Sequence, residues 1–198
     1  RELADKTSMS LAAIREMIPR LEAEGLIKAI RQRGLQIVHI DLQMVIDAFQ
    51  LREMIETTAV VAYVRNASDA DVAKHCERLE TLIEKERNNP VTPELLTEAQ
   101  SVDWAMHDAF VAALGNRILA DIHRVNSIRI RMILQERINI SPERLTITLQ
   151  QHKAILDAVV RRDAGDALCA LRTHLASSRH RSLSFDSFEN SSTTSTVR

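Results

Sequence analysis

The chain has 198 residues, a formal net charge of −1, and a composition that is 45% hydrophobic and 3% aromatic. Only 4 glycines and 4 prolines interrupt long stretches rich in Ala, Leu, Ile, Glu and Arg, and this composition favours helices over sheets. The near-zero charge gives no argument for nucleic-acid binding, and the absence of a long apolar run excludes a membrane span.

Cysteine usage and the ends of the chain indicate a cytoplasmic protein. Cys76 and Cys169 lie far apart and form no CxxC pattern, which is typical of a reducing compartment, and no signal peptide is recognisable. The chain begins on "RELAD", already within a helical pattern, so we expect that residues before Arg1 are missing.

The first forty residues predict helix, turn, helix and hairpin. After the end of a first helix at residues 1–7, Ser10 is placed to cap a second helix, which Gly25 ends. Residues 26–30 and 35–40 have the composition of strands, and a basic tip at residues 31–34 separates them.

This order of elements is the outline of a winged helix-turn-helix, whose second helix enters the major groove of DNA. Arg15 and the Ser10 hydroxyl are then the candidate groove contacts, and Arg31 and Arg33 at the hairpin tip would reach phosphates or the minor groove. The alternative is a solvated basic surface on a small helical cap.

From Leu42 the pattern changes to about six long amphipathic helices, which predict an antiparallel bundle over residues 42–181. Thr92 and Pro93 mark the start of the third of these helices, and Ser141 and Pro142 mark the start of the fifth. Residues 182–198 are rich in Ser and Thr and are predicted to be a disordered tail. The expected fold class is therefore mainly α, with a winged helix-turn-helix at residues 1–41, incomplete at its start, before an all-α bundle.

Four polar side chains interrupt the apolar stripes of three predicted helices. Asp103 and His107 are four residues apart and therefore lie on one helix face, whereas His152 and His174 each lie within the apolar stripe of a later helix. Buried charged and polar groups of this kind are costly unless something satisfies them. A single buried histidine is more often a structural residue than a ligand, but a divalent metal would satisfy all four side chains if the stripes met. Zinc, nickel, manganese and iron all suit one carboxylate with three imidazoles.

The N-terminal third resembles the DNA-binding domain of the GntR family of bacterial transcription regulators. The matching pieces are "RELA" at residues 1–4, Ser10, "IRE" at 14–16, "RLEAEGL" at 20–26 and "RG" at 33–34. The resemblance implies that DNA is contacted by Arg1, Ser10, Arg15, Arg33 and Gly34. Pro19 departs from the pattern, and we expect it to kink the recognition helix or to end its regular part.

Residues 42–180 resemble the helical effector-binding domain of the FadR subfamily of these regulators, called the FCD domain. The matching pieces include "DWAMH" at residues 103–107, "QHKAI" at 151–155 and "LRTHL" at 171–175. The resemblance implies that Asp103, His107, His152 and His174 are metal ligands, and that the open metal positions take a small carboxylate. Arg52 is the candidate second anchor for that carboxylate, because a guanidinium binds a carboxylate through two hydrogen bonds, or else it simply pairs with Glu56. Three further candidates have less support, namely Asn126, Arg131 and His123.

The sequence therefore predicts a non-enzymatic transcription regulator that binds operator DNA as a homodimer and responds to a small organic acid at a metal site. One alternative is a metal-dependent hydrolase, since a metal with open positions can activate water. The other is a bundle in which the metal has only a structural role.

Overall fold

The fold is that of a computed structural model, and the structure describes residues 7–31, 34–137 and 142–184. The chain divides into two compact units, residues 1–41 and residues 42–198. Within the described residues the first unit has one helix and a hairpin, and the second has six helices. The predicted mainly α fold class is confirmed.

The first unit consists of helix α1 (Leu11–Ala23) and the antiparallel strands β1 (Ile27–Ile30) and β2 (Gly34–Ile37). Ser10 caps α1 as predicted, because its side chain accepts a hydrogen bond from the Ala13 amide at 3.2 Å. Gly25 ends the helix with φ +67°, and the two hydrogen bonds that follow form a Schellman motif, in which a residue without a Cβ is favoured. Local capping chemistry thus sets both ends of α1.

Pro19 lies inside α1 without ending it, since the helix continues to Ala23. Proline removes only its own amide donor, and the Schellman bonds at Gly25 hold the last turn. Of the two outcomes expected for Pro19, an early end of the regular helix is therefore wrong, and a kink stays a prediction.

The second unit is a bundle of long helices joined by short connections. Its central helix is α2, which contacts α4, α5 and α7, and the last two helices form an antiparallel pair because only three residues connect them. The bounds are α2 (Leu42–Asn66), α3 (Asp69–Asn88), α4 (Pro93–Ala112), α5 (Arg117–Arg137), α6 (Pro142–Val160) and α7 (Ala164–Ser184).

Two of the predicted boundaries have different outcomes. Thr92 caps α4 and Pro93 is its first residue, as predicted. Helix α7 continues to Ser184, so the start of the disordered tail at residue 182 is wrong. Ser182 is fully buried, and its hydroxyl donates a hydrogen bond to the Ser178 carbonyl. This bond satisfies a polar side chain that the sequence alone predicts to be in the exposed tail. Ser141 and residues 185–198 lie outside the described residues.

The core of the second unit is a single cluster of buried aliphatic side chains with Phe110 and Tyr63 among them. Phe110 has no exposed surface, and Tyr63 packs against it with ring centroids 5.1 Å apart. In the described ranges, every helix is too short or too polar to cross a membrane.

Tyr63 is the only tyrosine in the sequence, so its titration can be followed without interference. Burial raises the pKa of its hydroxyl to about 12, and the negative charge of Asp71 adds to the effect. We expect the absorbance change of tyrosinate near pH 12 rather than near pH 10. Because the pKa of Tyr63 is higher in the folded chain than in the unfolded chain, its contribution to the free energy of unfolding is complete below pH 10. That contribution is lost as the pH rises through 12. A midpoint near 10 in the folded protein would contradict this assignment.

Candidate metal centre

Three helices bring one carboxylate and three imidazoles together. Asp103 and His107 lie on α4, His152 lies on α6, and His174 lies on α7. One ligand atom from each of the four lies within 4.8 Å of those of the other three. The four candidate ligands of the sequence therefore meet at one point, as a shared ion requires.

Local geometry explains how each helix contributes its side chains. The spacing of four residues places Asp103 and His107 on one face of α4. The antiparallel pairing of α6 and α7 brings His152 against His174, with ring centroids 4.6 Å apart, and the rings of His107 and His174 stack at 5.3 Å. The three imidazoles are each at most 3% exposed.

The buried ring nitrogens are poorly satisfied by the protein itself. Asp103 Oδ1 lies 2.8 Å from Nε2 of His152 and 3.4 Å from Nε2 of His107. Neither ring nitrogen makes a hydrogen bond of acceptable geometry, and both are shielded from solvent. Unsatisfied buried nitrogens are costly, and nitrogen and carboxylate donors are the set that binds zinc and related ions, so these residues fit a divalent metal.

Two of the four candidate ligands have pKa values shifted toward the form that binds a metal, whereas the pKa of His107 is raised because the charge of Glu56 outweighs burial. Burial alone would raise the pKa of Asp103, but the charges of His152 and His107 outweigh it and hold the pKa well below its usual range. Burial and the neighbouring imidazoles together hold the pKa of His174 well below its usual range. An ionised carboxylate and a neutral imidazole are the forms in which these groups coordinate metals.

Glu56 on α2 is a fully buried carboxylate that contacts polar side chains of its own helix, of α4 and of α5. Its Oε1 atom accepts hydrogen bonds from Nε of Arg52 at 2.8 Å and lies 3.0 Å from Nε2 of His123, while Oε2 lies 2.6 Å from Nδ1 of His107. Burial would raise the pKa of Glu56, but Arg52 and His107 outweigh it, and the pKa lies well below its usual range. The carboxylate therefore stays charged behind the metal-facing imidazole of His107.

Glu56 is expected to support metal binding through His107. A carboxylate next to the remote ring nitrogen orients a ligating histidine, and loss of such a partner costs about 10- to 100-fold in metal affinity. We expect Glu56→Gln to weaken zinc binding by about that factor, measured by competition with a chromophoric chelator. Unchanged affinity, with Glu53→Gln on the exposed face of the same helix as control, would contradict this role.

A cavity of about 80 Å³ opens beside the cluster. It has room for several water molecules or a small organic molecule. Asp103, His152 and His174 form one part of its lining. The remaining lining residues are basic, small polar or apolar: Arg52, Leu96, Ala99, Gln100, Trp104, Leu134, Arg144, Leu145, Thr148, Leu149, Ser178 and Arg181.

Arg52 lines this cavity as well as pairing with Glu56, and its Nη2 atom is buried without a hydrogen-bond partner. The other candidate effector contacts do not line it. Asn126 donates to the Ala48 carbonyl at 2.9 Å, and Arg131 lies over the Trp104 ring at 4.6 Å, beside a separate cavity. His123 contacts Glu56 and is not part of the metal cluster.

Sequence reasoning missed two arginines, Arg144 and Arg181, which line the cavity with the metal cluster. A signal for them was present, because Arg144 precedes His152 by two helical turns and Arg181 follows His174 by two turns. Each arginine therefore lies on the same helix face as a candidate ligand.

The candidate DNA contacts lie in the first unit. Arg15 and Arg31 are exposed, and Ser10 caps the helix that carries Arg15. Gly34 begins β2 with φ +93°, a conformation that side chains with a Cβ rarely adopt. Arg1 and Arg33 lie outside the described residues.

Comparison with known proteins identifies the bundle. Residues 47–177 match the FCD domain family. The chain is 27% identical over 179 residues to the HTH-type transcriptional repressor GlaR of Escherichia coli K12, covering 87% of this chain and 80% of GlaR. It is 29% identical over 179 residues to an uncharacterized HTH-type transcriptional regulator of Streptomyces ambofaciens, covering 88% of this chain and 70% of that one.

Solved structures share the fold. E. coli McbR/YncC superimposes with a TM-score of 0.77 at 19% identity, over 92% of this chain and 84% of McbR. The family match covers well over half of the chain, and it agrees with the resemblance that the sequence motifs indicate. The chain belongs to the FCD family of GntR-type regulators.

Proposed function

We propose that the chain is a transcription regulator whose C-terminal bundle binds a divalent metal ion and a small carboxylate, and whose first unit binds operator DNA. The observation that carries this proposal is the meeting of Asp103, His107, His152 and His174 beside a cavity in an FCD domain. The Zn²⁺-bound FCD domain of TM0439 shares this fold, with a TM-score of 0.56 at 16% identity over 74% of this chain and 96% of that one.

The first unit supplies the contacts to DNA. Helix α1 has the place of a recognition helix, with Ser10 at its start and the exposed Arg15 one turn later. The exposed Arg31 and the hairpin turn that ends at Gly34 are placed for contacts to the phosphate backbone. A single winged helix reads one half-site, so we propose that a homodimer binds a two-fold operator.

The bundle supplies the sensing site. A bound divalent ion acts as a Lewis acid that accepts oxygen ligands from a carboxylate. Asp103, His107, His152 and His174 would hold the ion. Oε1 of Gln151 lies within hydrogen-bond distance of Nδ1 of His174, at 3.1 Å, and Oε2 of Glu56 lies 2.6 Å from Nδ1 of His107 as a close charged neighbour. Arg52 lines the cavity and its buried Nη2 atom has no hydrogen-bond partner, so its guanidinium is a candidate donor to the same carboxylate.

Glu56 also offers a route from this site to the rest of the bundle. It joins Arg52, which contacts the cavity, to His107 on α4 and His123 on α5. A ligand that draws Arg52 toward the cavity would change the contacts of Glu56 with Arg52, His107 and His123. If the ligand binds one arrangement of the bundle more tightly than another, it shifts the population toward that arrangement. We propose that such a shift changes operator binding.

The hydrolase alternative receives no support from the comparisons, in which the named relatives are transcription regulators. The structural-metal alternative makes a different prediction from a sensing site. A structural ion would stabilise the protein without any effect of added acids, whereas a sensing site gains stability from acids only when the metal is present.

The test combines elemental analysis with thermal-shift and operator-binding measurements on the full chain. We expect about one divalent ion per chain, a further rise in melting temperature on adding organic acids to the metal-loaded protein, and an altered affinity for DNA from beside its own gene. The same acids should have no effect on protein stripped by a chelator or on Asp103→Ala. Stabilisation by metal with no response to any acid, or no binding to DNA, would overturn the proposal.

A further inference from the structure

A further cavity opens where the end of α2, the start of α3 and the end of α4 meet. It has a volume of about 300 Å³, and its polar lining residues are Tyr63, Asn66, Asp71 and His75. The rest of its lining is alanine. It shares no lining residue with the cavity beside the metal cluster, so what it binds is a separate question from the sensing of an acid.

Two of the lining side chains have a buried polar atom without a partner. Tyr63 is 3% exposed, and its hydroxyl makes no hydrogen bond within the part of the chain that the structure describes. Nδ1 of His75 is likewise buried and unpartnered, and the two rings lie edge to face with centroids 6.3 Å apart. Buried polar groups are costly when nothing satisfies them, so both atoms favour a polar group of a ligand in this cavity.

Asp71 gives the cavity a negative charge. Its carboxylate accepts a hydrogen bond from the Ser68 hydroxyl at 2.6 Å, and it forms no ion pair with any residue that the structure describes. Burial raises the pKa of the Tyr63 hydroxyl, and the charge of Asp71 raises it further. The same charge acts on the pKa of His75, so the carboxylate lies close to both unpartnered groups.

His75 is a neutral imidazole that can accept a hydrogen bond. Burial lowers its pKa, and the positive charges of Arg78 and Lys74 add to the effect. Neither of these two bases lines the cavity. A neutral imidazole has one accepting nitrogen, which is Nδ1 when Nε2 carries the proton. With the oxygen atoms of Tyr63 and Asp71, the cavity therefore offers three kinds of acceptor, one of them charged.

We propose that this cavity binds the ammonium group of a small primary amine. An ammonium has three N–H donors and a positive charge, which match the Tyr63 hydroxyl oxygen, Nδ1 of His75 and the Asp71 carboxylate. The small side chains of Ala109 and Ala112 leave room beside it for a short alkyl chain. An anion would be repelled by Asp71, and a neutral molecule would leave that charge without a counterion.

The test titrates the full chain with propylammonium, and with propanol and propionate as ligands of the same chain length that lack the positive charge. Tyr63 is the only tyrosine in the sequence, so isotope-labelled tyrosine gives NMR signals from this cavity alone. We expect propylammonium to shift these signals to saturation and to bind at least about tenfold more tightly than propanol or propionate, since a hydrogen bond to a charged group commonly contributes that much. The affinity should be the same in protein stripped of metal by a chelator.

Two variants test the assigned contacts by calorimetry. Asp71→Asn, which keeps an acceptor for Ser68, should weaken propylammonium binding about tenfold or more. Tyr63→Phe should also weaken it, but should not lower the melting temperature, because it removes a hydroxyl that has no partner. Glu77→Gln, on the exposed part of α3, is the matched control and should bind as the unmodified chain does.

The outcomes at this cavity are independent of those at the metal centre. Equal binding of the ammonium, the alcohol and the acid would overturn the proposal, as would full affinity in Asp71→Asn. Failure of propylammonium to bind would overturn it too, and would show that water alone satisfies Tyr63 and His75. None of these results bears on the proposed acid sensor, whose own test uses metal and organic acids.

Discussion

His174→Ala is expected to lower the affinity for zinc by more than about 100-fold. Removing a residue that binds the metal directly should cost more affinity than removing a residue that only orients such a ligand, which costs about 10- to 100-fold. His174 joins α7 to the cluster, and its ring stacks on His107 and lies against His152. The measurement is competition with a chromophoric chelator, together with the melting temperature with and without zinc. The zinc-dependent rise in melting temperature should disappear in this variant, since a ligand stabilises the fold in proportion to its occupancy.

Two further variants separate loss of the ligand from loss of ring packing. His174→Asp keeps a coordinating atom and should bind zinc more tightly than His174→Ala, although it packs no better. His180→Ala removes an exposed imidazole from the same helix and should leave zinc affinity unchanged. Equal affinity in His174→Ala and the unmodified chain would remove His174 from the metal site.

Glu56→Ala is expected to lower the free energy of unfolding by about 3–5 kcal/mol, because it leaves a buried charge without its partner. Arg52 is 3% exposed and depends on Glu56 as its charged hydrogen-bond partner at 2.8 Å. The same substitution removes the carboxylate that lies beside His107 and His123. Denaturant unfolding in the presence of a chelator measures this loss without any contribution from metal.

The control is Glu53→Ala, which removes an exposed carboxylate from the same helix and should change stability by less than about 0.5 kcal/mol. The double variant Arg52→Met with Glu56→Leu should be more stable than Glu56→Ala alone, since replacing both charges leaves neither one buried and unpaired. A loss of less than about 1 kcal/mol in Glu56→Ala would show that Arg52 finds another partner, contrary to the structure.

Local signals in the sequence were sufficient for most of the helix ends. Ser10, Gly25 and Thr92 mark the ends of helices through contacts with backbone groups three residues away, and such contacts depend on sequence spacing alone. The tail is the informative failure. Ser182 is polar and therefore reads as exposed, but the bundle buries it and its own helix satisfies its hydroxyl.

The prediction of the candidate site likewise has a part that follows from local spacing and a part that depends on how the helices pack. The sequence by itself determined that Asp103 and His107 share a helix face, and that His152 and His174 lie in apolar stripes, because side-chain periodicity follows from the helix alone. Only the tertiary structure decided which helices meet. The packing of α4, α6 and α7 brought the four candidate ligands within 4.8 Å of one another and placed Arg144 and Arg181 on the cavity, and the packing of α2 enclosed Glu56 with Arg52. Helix α5 packs against α2 and α4, so that Asn126 donates to a backbone carbonyl and Arg131 lies over Trp104. These contacts join residues tens of positions apart, and their positions depend on how whole helices pack against one another, which no local spacing specifies.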